Sequence, residues 1–367
     1  MTLLMALAAV CTPVADLPPS AQQTELGAIV ARAEAPFALY AQRAGNADAL
    51  TAAAGMADPA MNRAMSIDTP VRIASNTKTF VAATVLRLYE QGRIALDAPI
   101  AGLIDPDLAA ILSADGYDSR RITVRHLLSH SAGLYDHGGD ARYVAAMLAT
   151  PRREWTRKEL VALMAEYADP QSAPGTRFQY SDTGYILLGD IIERLTGQSL
   201  AAAVREQLRF AELGLASTWW ETLEPQPASA LPRARQHIDG RDVSNVHASF
   251  DLYGGGGLVM SVRDLATLFA ALFEGRVFDD PATLGLMTAK GPHEGGDRYR
   301  LGLFAQPGKQ GDIFSHSGFW GTGVYYDVAQ RRVVAVATTR QEFFRRDMVP
   351  LAMSLLGEPG RCVVGAD

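Results

Sequence analysis

The sequence predicts a mixed α/β (α+β) fold: an antiparallel sheet flanked by N- and C-terminal helices, with a mostly helical lobe inserted into it. Three observations point there. Strand-like segments with short polar turns sit near both ends of the chain, at 36–55 and 299–338. Between them the apolar residues recur at helical spacing. Helical patterns also bracket the strands, at 24–34 and 347–356. The simplest architecture pairs the two end segments in one sheet. This divides the chain into a signal-like or disordered start (1–20), an α/β sheet lobe (21–95 with 291–367) and a helical lobe (96–290). A cleft between the lobes is the default site.

The elements follow in order. Thr24 to Glu34 reads as a first helix. Pro36 to Arg43 and Asp48 to Gly55 read as strands around the turn Gly45-Asn46-Ala47. Val71 to Ala74 is a short, mostly apolar run ending at Ser75. From Thr77 to Gln91 the pattern turns helical and leaves little polar surface, which marks a buried helix. Gly92 stands where a C-terminal cap is expected. Lys158 to Tyr167, Tyr185 to Leu195, Ser199 to Arg209 and Val262 to Glu274 are further helices. Pro- and Gly-rich loops lie at 224–232 and 290–297. Tyr299 to Ala305, Gly311 to His316, Gly323 to Asp327 and Arg332 to Thr338 read as consecutive strands, and Asp347 to Leu356 as a closing helix.

Composition narrows the function classes. The 367 residues are 48% hydrophobic and 20% charged, an ordinary globular balance. The net charge of −6 gives no reason to expect nucleic acid or an anionic membrane as a partner. No stretch is apolar for the length a spanning helix needs. The opening run Met1 to Val10 resembles the hydrophobic part of a secretory signal without its basic start, so export to the periplasm or medium is the expectation. Two cysteines, Cys11 and Cys362, make neither a disulfide framework nor a metal site; a single bridge between the termini stays open.

Three short segments carry chemistry. In Ser75-Asn76-Thr77-Lys78, serine and lysine three apart at a helix start share one face. A serine hydroxyl needs a base within reach, and Lys78 can serve if burial lowers its pKa. In Tyr180-Ser181-Asp182, a tyrosine beside a cationic lysine has a lowered pKa and can shuttle protons. A plainer reading makes Ser181 or Asp182 the cap of a helix beginning near Thr183. In His316-Ser317-Gly318, the glycine lets a substrate lie against a strand end. The N–H after it, on Phe319, can pair with that of Ser75 as an oxyanion hole.

Taken together, Ser-x-x-Lys, Tyr-x-Asp and His-x-Gly in that order resemble the family of class C β-lactamases, DD-peptidases, D-aminopeptidases and related esterases. His126-Leu127-Leu128-Ser129-His130-Ser131-Ala132-Gly133-Leu134 fits it, as does the run Gly254–Gly257 followed by Leu258 and Ser261–Leu265. The resemblance covers roughly residues 25–355. It implies a β-lactamase/penicillin-binding-protein-like fold and acyl transfer through an acyl-enzyme on an amide or ester of a small molecule or peptide. By the same resemblance Ser75 is the nucleophile, Lys78 its partner and Tyr180 the base or relay. Asp182, His316, Ser317, Gly318 and Phe319 would bind substrate or oxyanion. No cofactor or metal is implied.

Two departures from the family pattern refine this. An ionised Asp182 near Lys78 would hold the lysine as ammonium and favour Tyr180 as proton acceptor. His316 stands where strong penicillin-hydrolysing relatives often have Lys, and a neutral imidazole anchors a carboxylate weakly. The expectation is therefore a DD-peptidase-like or esterase-like enzyme. A β-lactamase and a non-catalytic penicillin-binding sensor are the alternatives. Preference for anionic substrates should then grow as pH falls toward 6.

Other signals are discounted. His126 and His130 are four apart but lack the Glu of a zinc-protease helix, and read as part of a structural turn. His237, His247 and His293 read as surface residues. Arg340 reads as a surface ion pair ahead of a substrate contact.

Overall fold

The computed structural model describes residues 12–358. The signal-like run and both cysteines of the suggested bridge lie outside the described residues. The sheet is built from both ends of the chain. Its six antiparallel strands run in the order Phe304–Pro307, Asp312–Gly318, Thr322–Asp327, Arg332–Thr338, Phe37–Arg43, Leu50–Ala54. The join between chain ends is the pairing of Phe37 with Thr338 through Arg43 with Arg332.

Both faces of this sheet are covered, so its central strands show no polar alternation. Phe37, Leu39, Val334 and Val336 point to one face, where Leu26, Ile29, Leu351 and Leu355 of the terminal helices pack. Ala38, Tyr40, Val333 and Ala335 point to the other face and the main core. Leu351 is fully buried there, and truncating it to Ala costs about 2–5 kcal/mol.

Several boundaries differ from the sequence reading. The first helix spans Pro19–Ala31, starting earlier because Pro19 fits the first helical position. Residues 299–303 do not form a strand. They turn inward at Gly302, whose carbonyl accepts from Thr79 Oγ1 (2.7 Å) and whose N–H donates to Leu128. This ties the sheet to the buried helix Thr77–Glu90. The closing helix is Val349–Leu355, after a wide π-helical turn at Phe344–Met348.

Among the short helices the sequence reading missed are Pro106–Ala114, Ala141–Ala149 and Pro281–Thr288. Each opens on an Asp whose carboxylate accepts from the helix backbone, a signal present in the sequence at Asp105, Asp140 and Asp280. Helix Val262–Phe273 packs on the sheet, with the Phe273 ring stacked 4.4 Å from that of Tyr326. Its strongly amphipathic pattern matches a sheet face as well as a helical lobe, so periodicity could not choose. Among the described residues no helix is long and apolar enough to cross a membrane.

Candidate active site

Ser75 sits on a tight 3-10 turn, Ala74–Asn76, between the short strand Val71–Arg72 and helix Thr77–Glu90. The residue before it, Ala74, has φ +45°, a left-handed conformation uncommon for a non-glycine. Such strain persists only where surroundings enforce it. Here Asn76 enforces it: its amide donates to the Ile73 carbonyl (2.7 Å) and to Thr322 Oγ1 (2.8 Å) on the sheet. Every residue of that helix from Thr77 to Leu88 is buried, so the turn is anchored on both sides.

Lys78 lies one turn on, and its side chain is 0% exposed. Its Nζ donates to Ser75 Oγ (2.9 Å) and to the Gly255 carbonyl (2.5 Å), and stands 2.5 Å from Asp182 Oδ1. That last approach is off the direction of a well-formed hydrogen bond, so the contact is chiefly an ion pair. Burial works against the charge on Lys78. The Asp182 carboxylate and Tyr180 outweigh it and hold the ammonium above its ordinary range. Lys78 is thus a cation, and the expectation that burial would free it as a base fails.

Tyr180 stands beside Ser75 and Lys78 as a half-buried wall of the cleft, with its ring 5.2 Å from the lysine Nζ. Burial pushes its hydroxyl up to about 12, although Lys78 pulls it down. The expected lowering is therefore reversed: desolvation outweighs the neighbouring cation. Ser181 occupies the N-cap of helix Asp182–Thr196, but its hydroxyl donates to the Tyr135 carbonyl (2.8 Å), and no side chain caps the helix.

The third segment ends the strand Asp312–Gly318. A side chain on Gly318 would put a Cβ 2.0 Å from the Ile73 carbonyl oxygen, so only glycine lets this strand end close on the Ser75 turn. Ser75, Tyr180, His316, Ser317, Gly318 and Phe319 together line one cleft of about 420 Å³. Asp182 does not line it; it stands against Lys78 instead. His316 is buried, with Nε2 3.2 Å from the Tyr299 hydroxyl. Burial and then Lys78 push its pKa down to about 3. The expected charging of His316 toward pH 6 is therefore overturned, because this imidazole has no solvent to stabilise its cation.

His130, read from sequence as part of a turn, proves to be a support of the site. It is buried at φ +52°, and its ring lies 4.1 Å from that of Tyr180. Its Nδ1 accepts from the Ser181 N–H (3.1 Å), which fixes the Tyr180 loop. Burial holds it well below the usual imidazole range, so it is neutral. Asp136 was also missed; its Oδ1 accepts from the Asp182 N–H (3.0 Å). No spacing signal marks Asp136, whereas His130 lies within the 126–134 segment that carried the family resemblance. Among the discounted histidines, His293 is buried and His237 and His247 are half-buried, so none is a free surface group. Arg340 does form the ion pair expected of it, with Glu342 (3.1 Å).

A family model described as Beta-lactamase matches residues 28–356. Esterase EstB of Burkholderia gladioli is 35% identical over an aligned length of 234, with 58% of this chain and 57% of the relative covered. The chain spans about half the length of the curated relatives it matches. The structure of a D-stereospecific amidohydrolase from Streptomyces sp. aligns with a TM-score of 0.73 and 28% identity, covering 89% of this chain and 95% of that one. A D-amino acid amidase from Ochrobactrum anthropi SV3, complexed with L-phenylalanine amide, aligns with a TM-score of 0.74 and 25% identity, covering 91% and 96%.

Proposed function

This chain belongs to the Beta-lactamase family, and on that premise we propose that it is a serine hydrolase that cleaves ester or amide bonds through an acyl-enzyme on Ser75. One observation carries the reading: the ammonium of Lys78 donates to Ser75 Oγ at 2.9 Å, with the Tyr180 hydroxyl alongside. A cation on the nucleophile oxygen stabilises the alkoxide as it forms.

The protonation states favour a relay. Lys78 and Tyr180 both hold their protons in the resting site. As Ser75 Oγ bonds to the substrate carbonyl carbon, its proton passes to the Tyr180 oxygen while Tyr180 releases its own proton to the leaving oxygen or nitrogen in the same concerted exchange, so the phenol oxygen never carries two protons; the bond to the leaving group then breaks. The N–H groups of Ser75 and Phe319, at the two sides of the cleft, take the developing oxyanion. Water then repeats the sequence in reverse, and Tyr180 returns the proton to Ser75.

The neutral, buried His316 supports esters and amides as substrates ahead of penicillins, because it offers no charge to a carboxylate. The names of the esterase and amidase relatives agree with that class. The test is an intact-mass time course with p-nitrophenyl butyrate, D-phenylalanine amide and benzylpenicillin, on wild type and Ser75→Ala. A transient adduct with the ester or amide, absent from the variant, supports the proposal. A stable penicillin adduct without ester or amide turnover would favour a sensor, and no adduct with any of the three would remove the acyl-enzyme.

A further inference from the structure

We propose that the protein carries a second ligand site, behind the catalytic cleft, that takes a small organic carboxylate. A cavity of about 350 Å³ lies between helix Val124–Leu128, the loop after helix Pro281–Thr288 and the turn at 299–301. None of the catalytic segments lines it.

Its charges do not balance. Arg125, Lys290 and Arg300 line it, against the single carboxylate of Asp97. That carboxylate is already held by the Arg125 fork at 2.7 and 2.9 Å. Lys290 is exposed and has no ion pair among the described residues. Arg300 is 2% exposed; its Nη1 donates to the Gly296 carbonyl (2.6 Å), and the carboxylate paired with it is that of Asp312, at 3.7 Å.

Its wall also holds polar atoms that lack partners. Arg300 Nε and His293 Nε2 are buried with no hydrogen bond. An unmade bond on a buried polar atom costs about 1–3 kcal/mol. Burial lowers the pKa of both His293 and His126, so the two rings act as neutral hydrogen-bonding groups. Excess cations and spare donors call for an anionic acceptor. Leu286, Leu301 and the Tyr299 ring make the rest of the wall apolar, which suits an organic acid better than an inorganic ion. Tyr299 is the partition between the two sites, since its hydroxyl faces His316 in the catalytic network.

The test is a titration of the full chain with 4-fluorobenzoate, followed by ¹⁹F NMR, with inorganic phosphate in parallel. Lys290→Ala removes an exposed cation and leaves the fold intact; His293→Ala probes the buried nitrogen. We expect saturable fluorobenzoate binding, weakened about threefold or more by Lys290→Ala, the loss of one charge-assisted contact. Ser75→Ala should leave it unchanged. No saturable binding, equal affinity in Lys290→Ala, or preference for phosphate would each overturn the site. Loss of binding on acylating Ser75, with no effect of Lys290→Ala, would place the acid in the cleft and overturn it as well.

Discussion

Lys78 and Asp182 form an ion pair at 2.5 Å in which the lysine side chain is wholly enclosed. The pair makes Lys78 a fixed cation beneath Ser75. Its raised pKa contributes stability that is fully present below the unfolded lysine value and is lost as pH rises through the folded one. Asp182→Asn should destabilise the protein at neutral pH by about 3 kcal/mol, the low end for breaking a buried pair, because Lys78 keeps its hydrogen bonds to Ser75 and the Gly255 carbonyl. Lys78 would then lose its proton more easily. The alkaline limb of kcat/KM should move to lower pH by about one unit or more. Urea denaturation and a pH–rate profile check both; an unmoved alkaline limb would show that Asp182 does not set the charge of Lys78.

Tyr180→Phe should lower kcat by about 10²–10⁴, the range for losing a positioned proton-transfer group. The fold should hold, since the ring packing against His130 and Phe304 is kept. Single-turnover acylation followed by intact mass reads the step directly. A variant keeping a tenth of wild-type acylation would end the relay mechanism.

His316 should contribute no titration near pH 6. With its pKa pushed down to about 3 it stays neutral throughout the working range. The kcat/KM ratio for an anionic ester over its neutral analogue should therefore be flat from about pH 5 to 8. A ratio that rises as pH falls through about 6 would mean that His316 titrates near its ordinary value.

Asp136 should make stability fall with rising pH. Burial, then the Asp182 charge, push its carboxyl up to about 7. Between the unfolded value near 4 and that pH the folded chain keeps a proton that the unfolded chain has released, so unfolding is favoured as pH rises. Asp136→Asn removes this titration while retaining an oxygen for the Asp182 N–H. Melting temperatures at pH 5 and 7.5 should differ less in the variant than in wild type. Equal declines would place the effect elsewhere.

Gly318→Ala should damage site and fold together. The added carbon would meet the Ile73 carbonyl at 2.0 Å and force the strand end away from Ser75. A cost of about 1–3 kcal/mol is expected from overpacking, and a kcat loss of about 10²-fold or more from a misplaced oxyanion donor. Calorimetry with ester turnover measures both. Full activity would remove Phe319 from the oxyanion hole.

Much of the fold was legible in the sequence because the decisive patterns are local. The strand Arg332–Thr338 and helix Thr77–Glu90 follow from apolar runs bounded by turn and cap residues. Residues 299–303 misled because their apolar pattern belongs to an inward turn. There, hydrogen bonds from Thr79 and to Leu128 replace a sheet ladder.

The sequence by itself singled out the candidate reactive groups, though not their supports His130 and Asp136. Ser75, Lys78 and Tyr180 carry reactive chemistry at motif spacing, and those identities do not depend on how the chain is folded. Only the tertiary structure decided their protonation states. Lys78 is cationic because the chain brings Asp182, 104 positions away in the numbering, to its Nζ. His316 is neutral and Tyr180 keeps its proton because the fold removes water from both. Charge in a protein follows desolvation and distant partners, and neither is written in the local order of residues.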